Sequence, residues 1–311
     1  MSPAVSIVVV NYNTAEATAE CLASLEGEPV DAEVVVVDNG SVDGSVALLR
    51  ERFPGVVVVD AGENLGFAAG VNRGADVATG ERILLLNPDT LVRRGSIAAL
   101  VAFADEHPEY RVYGGRTLRP DGGLDPSSCW GEPTAWSLIC FATGLSTVFH
   151  RTRLFDPESL GRWQRDTVRE VPVITGCLLL ISRADWDLLG GMDERFFLYG
   201  EDADFSRRAR LAGMRPVIVP RAEIVHEVGG STSSSGRKMC LVMAGKATDA
   251  RLRWPGIRAR VAVGMLRAGA GLRAALGKDT WREVWRRRGD WSPGYPSARA
   301  ALFSTREGVT A

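Results

Sequence analysis

Several familiar sequence devices are missing from this chain of 311 residues. The five cysteines, Cys21, Cys129, Cys140, Cys177 and Cys240, are odd in number, widely spaced and without a CxxC pair. That argues against a disulfide framework or a zinc site, and for buried thiols in a reducing compartment. No run of 18 uncharged apolar residues occurs, so no transmembrane helix is expected. The opening MSPAVSIVVVNYN lacks a basic n-region, and its apolar run is too short for a signal peptide. The glycines form neither GxGxxG nor a P-loop, which weakens the dinucleotide and NTPase readings. No internal repeat is visible.

What is present is an ordinary globular composition, 45% hydrophobic and 24% charged, with an uneven distribution of charge. Residues 236–311 hold 16 Lys/Arg against 5 Asp/Glu, whereas residues 1–235 hold 21 against 33. An acidic body (1–235) with a basic, helical extension (236–311) follows, joined at the Gly/Ser-rich stretch Gly229 to Gly236. In the body, apolar runs at Val5 to Val10, Glu33 to Val37, Val56 to Val59 and Ile83 to Leu86 alternate with helical patterns at Thr14 to Leu25, Val42 to Phe53 and Gly66 to Ala78. Ser41 is a candidate N-cap for the second helix. This alternation predicts an α/β fold with a mostly parallel sheet flanked by helices, whose ligands sit beyond the carboxyl ends of the strands. Residues 107–170 yield only short strands and loops. Val171 to Ser182 reads as a strand, Arg183 to Leu189 as a helix capped by Ser182, and 201–212 as a helix. Arg215 to Pro220 and Glu223 to Val228 read as two strands.

Four polar clusters carry candidate chemistry, each with a plainer alternative. Asp38, after VVVV, can accept hydrogen bonds from a nucleotide base or ribose, but Asp-Asn-Gly is also a turn signal. Asn87-Pro88-Asp89 puts a carboxylate after an apolar strand, where a hard cation bridging a diphosphate finds an oxygen ligand; it too can be a turn. Glu201, Asp202 and Asp204 occupy a first helical turn, where acids suit the helix dipole, or where paired carboxylates serve as a general base. His226, followed by Glu227, Gly229 and Gly230, is structural unless the fold brings it beside Asp89.

Taken in order, IVVVNYN (7–13), VVVVDNGSVDGS (34–45), NLGFAAGVNRG through LLLNPDT (64–90), and TGCLLLISR through FFLYGEDADFSRRARLAG (175–213) resemble the inverting GT-A glycosyltransferases of family 2, especially the rhamnosyltransferase-like branch. The resemblance spans about residues 5–231. It implies a GT-A fold, with Asp38 and Asn11 at the donor nucleotide and Asn64, Phe67 and Asn72 along the donor pocket. Asn87 and Asp89 stand at the DxD-type metal motif, with Asn87 replacing its first acid. Asp202 of the Glu201-Asp202 pair matches the catalytic base, and His226 completes a Mg²⁺ or Mn²⁺ site with Asp89. The implied reaction moves a sugar, L-rhamnose from dTDP-L-rhamnose or a sugar from a UDP donor, onto a glycan or lipid-linked cell-wall or polysaccharide acceptor; a soluble small-molecule acceptor is the alternative. A nucleotidyltransferase and a non-catalytic sugar-binding protein are rivals. The first should carry a Gly-rich, basic loop after strand one, which Asn11-Tyr12-Asn13-Thr14 is not; the second would not need Glu201-Asp202.

In the basic extension, Arg251 to Arg288 interleaves eleven Lys/Arg with Trp254, Ile257, Val261, Met265, Leu266, Leu272, Leu276, Trp281 and Trp285. This suits an interfacial helix on an anionic leaflet, helices packed on the acidic body, or a homodimer interface. Nucleic acid is not expected as a partner. The expected location is the cytoplasm, peripheral to the inner face of the membrane.

Overall fold

The computed structural model describes residues 3–226 and 235–303; of the expected linker at Gly229 to Gly236, residues 229–234 lie outside them. The strands are β1 (Val5–Asn11), β2 (Ala32–Asp38), β3 (Val57–Asp60), β4 (Arg82–Leu86), β5 (Thr90–Val92), β6 (Val112–Leu118), β7 (Cys129–Trp130), β8 (Arg169–Glu170), β9 (Val173–Ile174), β10 (Leu178–Ser182) and β11 (Val217–His226). The helices are α1 (Ala15–Ser24), α2 (Ser45–Arg52), α3 (Phe67–Val77), α4 (Ser96–Glu106), α5 (Ala135–Thr143), α6 (Leu145–Val148), α7 (Arg183–Leu189), α8 (Glu201–Leu211), α9 (Ser235–Arg253), α10 (Ile257–Ala275), α11 (Asp279–Arg286), α12 (Arg288–Trp291) and α13 (Ser297–Phe303). They divide into two compact units.

The first unit comprises residues 3–131, 163–193 and 202–226. Its sheet runs β3-β2-β1-β4-β10-β6-β11-β5, with β8 on β11; β7 and β9 pair separately. β3, β2, β1, β4, β6 and β11 share one direction, and β10, β5 and β8 oppose it. The sheet is therefore mostly parallel, and β1 is buried along its whole length, as a valine-rich run predicts, its Ser6 and Asn11 buried with the rest. Ile7, Val9, Leu84, Leu86, Leu100 and Ile224 belong to the main core. α3 lies so close to the opposite face that a Cβ at Gly74 would stand 2.5 Å from Val8 Cγ1, so only glycine fits there. Parallel register sets Asn11 beside Asp38 and Asp38 beside Asp60, which gathers polar residues at one end of the sheet.

Three local expectations change. Ser41 does not cap α2, whose N-cap is Gly44, with no side-chain cap; Asp43, just before it, accepts the Ser45 N–H at 3.1 Å, while Ser41 turns towards Asn11. The run 171–182 breaks into β9 and β10 around Thr175-Gly176-Cys177. The two strands expected over 215–228 are one, β11, whose pairing with β6 shifts between Ile218 and Glu223, at a proline that cannot donate to the ladder.

The second unit comprises residues 132–162, 194–201 and 235–303. It is wider than an extension beginning at 236. The reason is apolar burial: Leu138 of α5, Phe196 and Phe197 share one core with Cys240, Met243, Leu266, Val284 and Trp291 of the helices that follow. No helix among the described residues is long and apolar enough to cross a membrane. All five cysteines are free and buried.

Candidate active site

At the end of β1 and β2, Asn11 Nδ2 donates to Asp38 Oδ2 at 2.6 Å and to Ser41 Oγ at 3.1 Å, and the Ser41 N–H reaches Asp38 Oδ1 at 2.8 Å. Thr14 and Thr18 hydroxyls donate to Asn11 Oδ1. Asn11 and Asp38 are wholly buried, so they shape the 38–45 loop from within rather than face solvent. The loop is pinned further at Gly40, where a Cβ would stand 2.8 Å from the Glu63 backbone and φ is +73°. Asn64 accepts the Gly66 N–H at 3.0 Å, setting the entry to α3. Asn72, from the same helix, exchanges two bonds with the Met192 backbone, at 2.8 and 2.9 Å. It works as a clamp between α3 and the loop after α7. Phe67, at the start of α3, lies against Gly176.

The turn after β4 carries the second group. Asn87 Nδ2 donates to Cys177 Sγ at 3.2 Å, and Thr90 Oγ1 to the Asn87 carbonyl at 2.6 Å. The last residue of β11, His226, points Nε2 at Asp89 Oδ1, 3.3 Å away, and Nδ1 at Asp125 Oδ2, 2.9 Å away. β11 pairs His226 with Thr90 of β5, and this register brings the histidine to the Asp89 turn. Burial disfavours the imidazolium, but hydrogen bonds and charge from Asp125 and Asp89 outweigh it and raise His226 to about 9. Asp125, in turn, resists the upward push of burial: His226 and the Ser127 N–H hold its carboxyl below the ordinary range.

The third group is the Asp202 carboxylate near the start of α8. Its Oδ1 accepts the Gly176 N–H at 3.0 Å. Burial raises it to about 7 against the lowering effect of that bond. Cys177 joins the groups. Burial lifts its thiol to about 12, a Thr175 hydrogen bond opposes this, and the charges of Asp202, Asp89 and Asp125 all add to the rise. Gly176 and Cys177 thus link the Asp202 carboxylate to the Asn87–Asp89 turn. Glu201 is buried at the first position of α8. Asp204 is engaged with Arg208 at 2.6 Å, whose guanidinium also bonds the Leu189 and Gly191 carbonyls. That acid therefore braces α8 and takes no part in the group around Cys177.

Sequence reasoning missed Asp125, Gly176 and Cys177. Asp125 precedes Pro126 and accepts the Ser127 N–H at 2.9 Å, so locally it is a turn cap and nothing more. Its partnership with His226 exists only in the folded chain.

Residues 6–157 match the family model for glycosyl transferase family 2, and residues 164–229 match one described as the N-terminal domain of galactosyltransferase. An N-acetylglucosaminyl-diphospho-decaprenol L-rhamnosyltransferase of Mycobacterium tuberculosis is 32% identical over 249 residues, 75% of this chain and 78% of the relative. A low-salt glycan biosynthesis hexosyltransferase, Agl10 of Haloferax volcanii, is 27% identical over 66% of this chain and 61% of its own. Among solved structures, the mannosyltransferase PcManGT from Pyrobaculum calidifontis, in complex with GDP-Man and Mn²⁺, superposes with a TM-score of 0.56 at 21% identity, covering 97% of this chain and 85% of that one. GalNAc-T7 with UDP, GalNAc and Mn²⁺ gives 0.56 at 15%, covering 83% and 53%. Fold and comparisons together define a glycosyltransferase of the GT-A type. The chain belongs to glycosyl transferase family 2.

Proposed function

We propose that this enzyme inverts the anomeric centre of a nucleotide-sugar in a single displacement, with Asp202 as general base, and that dTDP-L-rhamnose and a polyprenyl-diphosphate-linked glycan are its donor and acceptor. The observation that supports the mechanism is that Gly176 and Cys177, adjacent in the chain, tie the Asp202 carboxylate to the Asn87 amide of the Asp89 turn, at 3.0 and 3.2 Å. The substrates follow the named activity of the mycobacterial relative.

The acceptor hydroxyl gives its proton to Asp202 as its oxygen bonds to the anomeric carbon, and the bond from that carbon to the diphosphate oxygen breaks. A carboxyl raised to about 7 is matched to this transfer near neutral pH, because its conjugate base is both present and strong enough to accept the proton. Asp38 and Asn11 hold the loop that shapes the nucleotide pocket, with Asn64, Phe67, Asn72 and Asn87 lining or bracing it.

Asp89 and His226 are a carboxylate and an imidazole that can take up a hard divalent cation once the imidazolium, raised to about 9, gives up its proton; among the described residues they belong to no group of three or more such ligands. Asp89 Oδ1 and His226 Nε2 face each other at 3.3 Å, with Nδ1 secured by Asp125, an outer carboxylate of the kind that orients metal-binding histidines. Asp89 and His226 would hold Mg²⁺ or Mn²⁺, with the diphosphate and water completing the shell; the bound ion supplies charge neutralisation for the departing nucleoside diphosphate.

The test is transfer of labelled sugar from dTDP-L-rhamnose, UDP-glucose, UDP-N-acetylglucosamine and GDP-mannose to polyprenyl-diphosphate-N-acetylglucosamine with Mn²⁺. Product from the rhamnose donor alone supports the reading. Product from another donor only, or transfer to free sugars with the lipid acceptor inert, contradicts it.

A further inference from the structure

In the second unit, α10 and α11 each bury one face and leave another apolar face uncovered. Of the apolar residues interleaved with arginine in this region, Leu266 is buried, and Trp254, Met265 and Trp281 pack against the same core. Ile257, Val261, Leu272 and Leu276 stay outside, at 62, 49, 36 and 69% exposure. On α10 they recur at helical spacing, with exposed Gly264, Arg267 and Ala268 between them, so they form one stripe along the helix and into its C-terminal turn.

Neighbouring segments widen the stripe. Trp285 of α11 lies across Gly271 of α10, where a Cβ would stand 2.9 Å from the indole ring. Buried Arg273 fixes the α5–α6 turn to the same half of α10: it donates to the Phe141 carbonyl at 2.8 Å and to the hydroxyls of Ser146 and Thr147 at 3.2 and 2.6 Å. Exposed Val148 and Phe149 follow directly. Arg258, Arg260, Arg267, Lys278, Arg282 and Arg286 are all exposed around this apolar ground. The one exposed acid among them, Asp279, is met by Arg282 at 3.0 Å.

We propose that this face docks on an anionic lipid bilayer, with the stripe of α10 at the boundary of headgroups and acyl chains and the arginines reaching outward to the headgroups. Charge selects the occupant. A second copy would set six cations against six of the same sign, whereas an anionic bilayer supplies both the apolar layer and the counter-charge. The proposal is independent of the donor and acceptor assigned above.

The test is flotation of the full chain with vesicles of phosphatidylcholine alone and with phosphatidylglycerol added. The wild type is expected to float with the anionic vesicles, less so as salt rises, and not with the neutral ones. The pair Ile257→Glu and Leu276→Glu should cut binding by roughly tenfold or more, whereas Leu211→Glu, an equally exposed leucine of the first unit, should not. Ile257 opens its helix, where a glutamate suits the dipole; Leu276 is the exposed C-cap, where an acid opposes it, so an unchanged circular dichroism spectrum of the paired variant accompanies the flotation. A readout on the unaltered protein is quenching of tryptophan fluorescence by brominated lipid, expected with anionic vesicles only. Equal binding to neutral vesicles, no flotation at low salt, no effect of the paired change, or no quenching would overturn the proposal. So would a dimer, seen by sedimentation, that the paired change dissolves.

Discussion

Asp202 sits where burial and a backbone N–H pull in opposite directions. A general base works unprotonated, so turnover at saturating donor and acceptor should rise with pH through about 7 and level off above it. A flat profile across that range would contradict the role. The same shift affects stability with a definite sign. A carboxyl whose folded value lies above its unfolded value stabilises the fold while protonated, fully so below the unfolded value, and that contribution is lost as pH rises through about 7. Asp202→Asn should therefore raise Tm more above the shifted value than well below it, at roughly 2–4 °C per kcal/mol, as differential scanning calorimetry can show. If Asp89 and His226 hold the metal as proposed, Asp125, 2.9 Å from His226 Nδ1, acts through that histidine. Asp125→Ala should weaken Mn²⁺-dependent binding of the nucleoside diphosphate by ~10–100-fold, as loss of an outer-shell carboxylate typically does, with little change in binding without metal; calorimetric titration separates the two. Asp38, Asp89, Asp202 and His226 stood out in the sequence because each ends an apolar run or opens a helix. Asp125 did not, because it is 101 positions from its partner and reads locally as a turn.

At the scale of elements, Thr175-Gly176-Cys177 between β9 and β10 joins the groups of the candidate site: Gly176 faces Phe67 and donates to Asp202, and Cys177 takes the Asn87 amide. A Cβ at Gly176 would stand 2.7 Å from Phe67 Cζ, so the ring or the backbone must move. Gly176→Ala should cut turnover by about tenfold or more while the protein stays folded, and, by weakening the N–H bond, should push the rising limb of the pH profile upward. The periodic elements are legible: β1 and β2 as valine-rich runs, and α7 with its Ser182 cap, whose hydroxyl accepts the Asp185 N–H at 3.0 Å. In sequence Pro220 reads as a break between two strands, yet β11 passes it by shifting register. α5 was missed because AWSLICFAT has little polar face to set a period; its start is fixed instead by a Thr134–Ser137 capping box.

Charge and composition revealed a basic helical part of the molecule but not how it is assembled. Leu138, Phe196 and Phe197 come from segments well before residue 235, yet they share a core with the helices after it. Truncation after Gly236 should strip those side chains of their partners, giving a chain that aggregates or melts at lower temperature; circular dichroism melting would show it, and an unchanged Tm would mean the two parts are independent. The central claim, that this family 2 enzyme transfers a sugar with Asp202 as base, rests most directly on one comparison. Transfer of labelled sugar is measured for wild type and Asp202→Asn with donor and acceptor saturating and nucleotide affinity determined in parallel. The account predicts a loss of ~10²–10⁴-fold in turnover with nucleotide affinity unchanged. Turnover within about tenfold of wild type, a loss smaller than general-base removal brings, would contradict it.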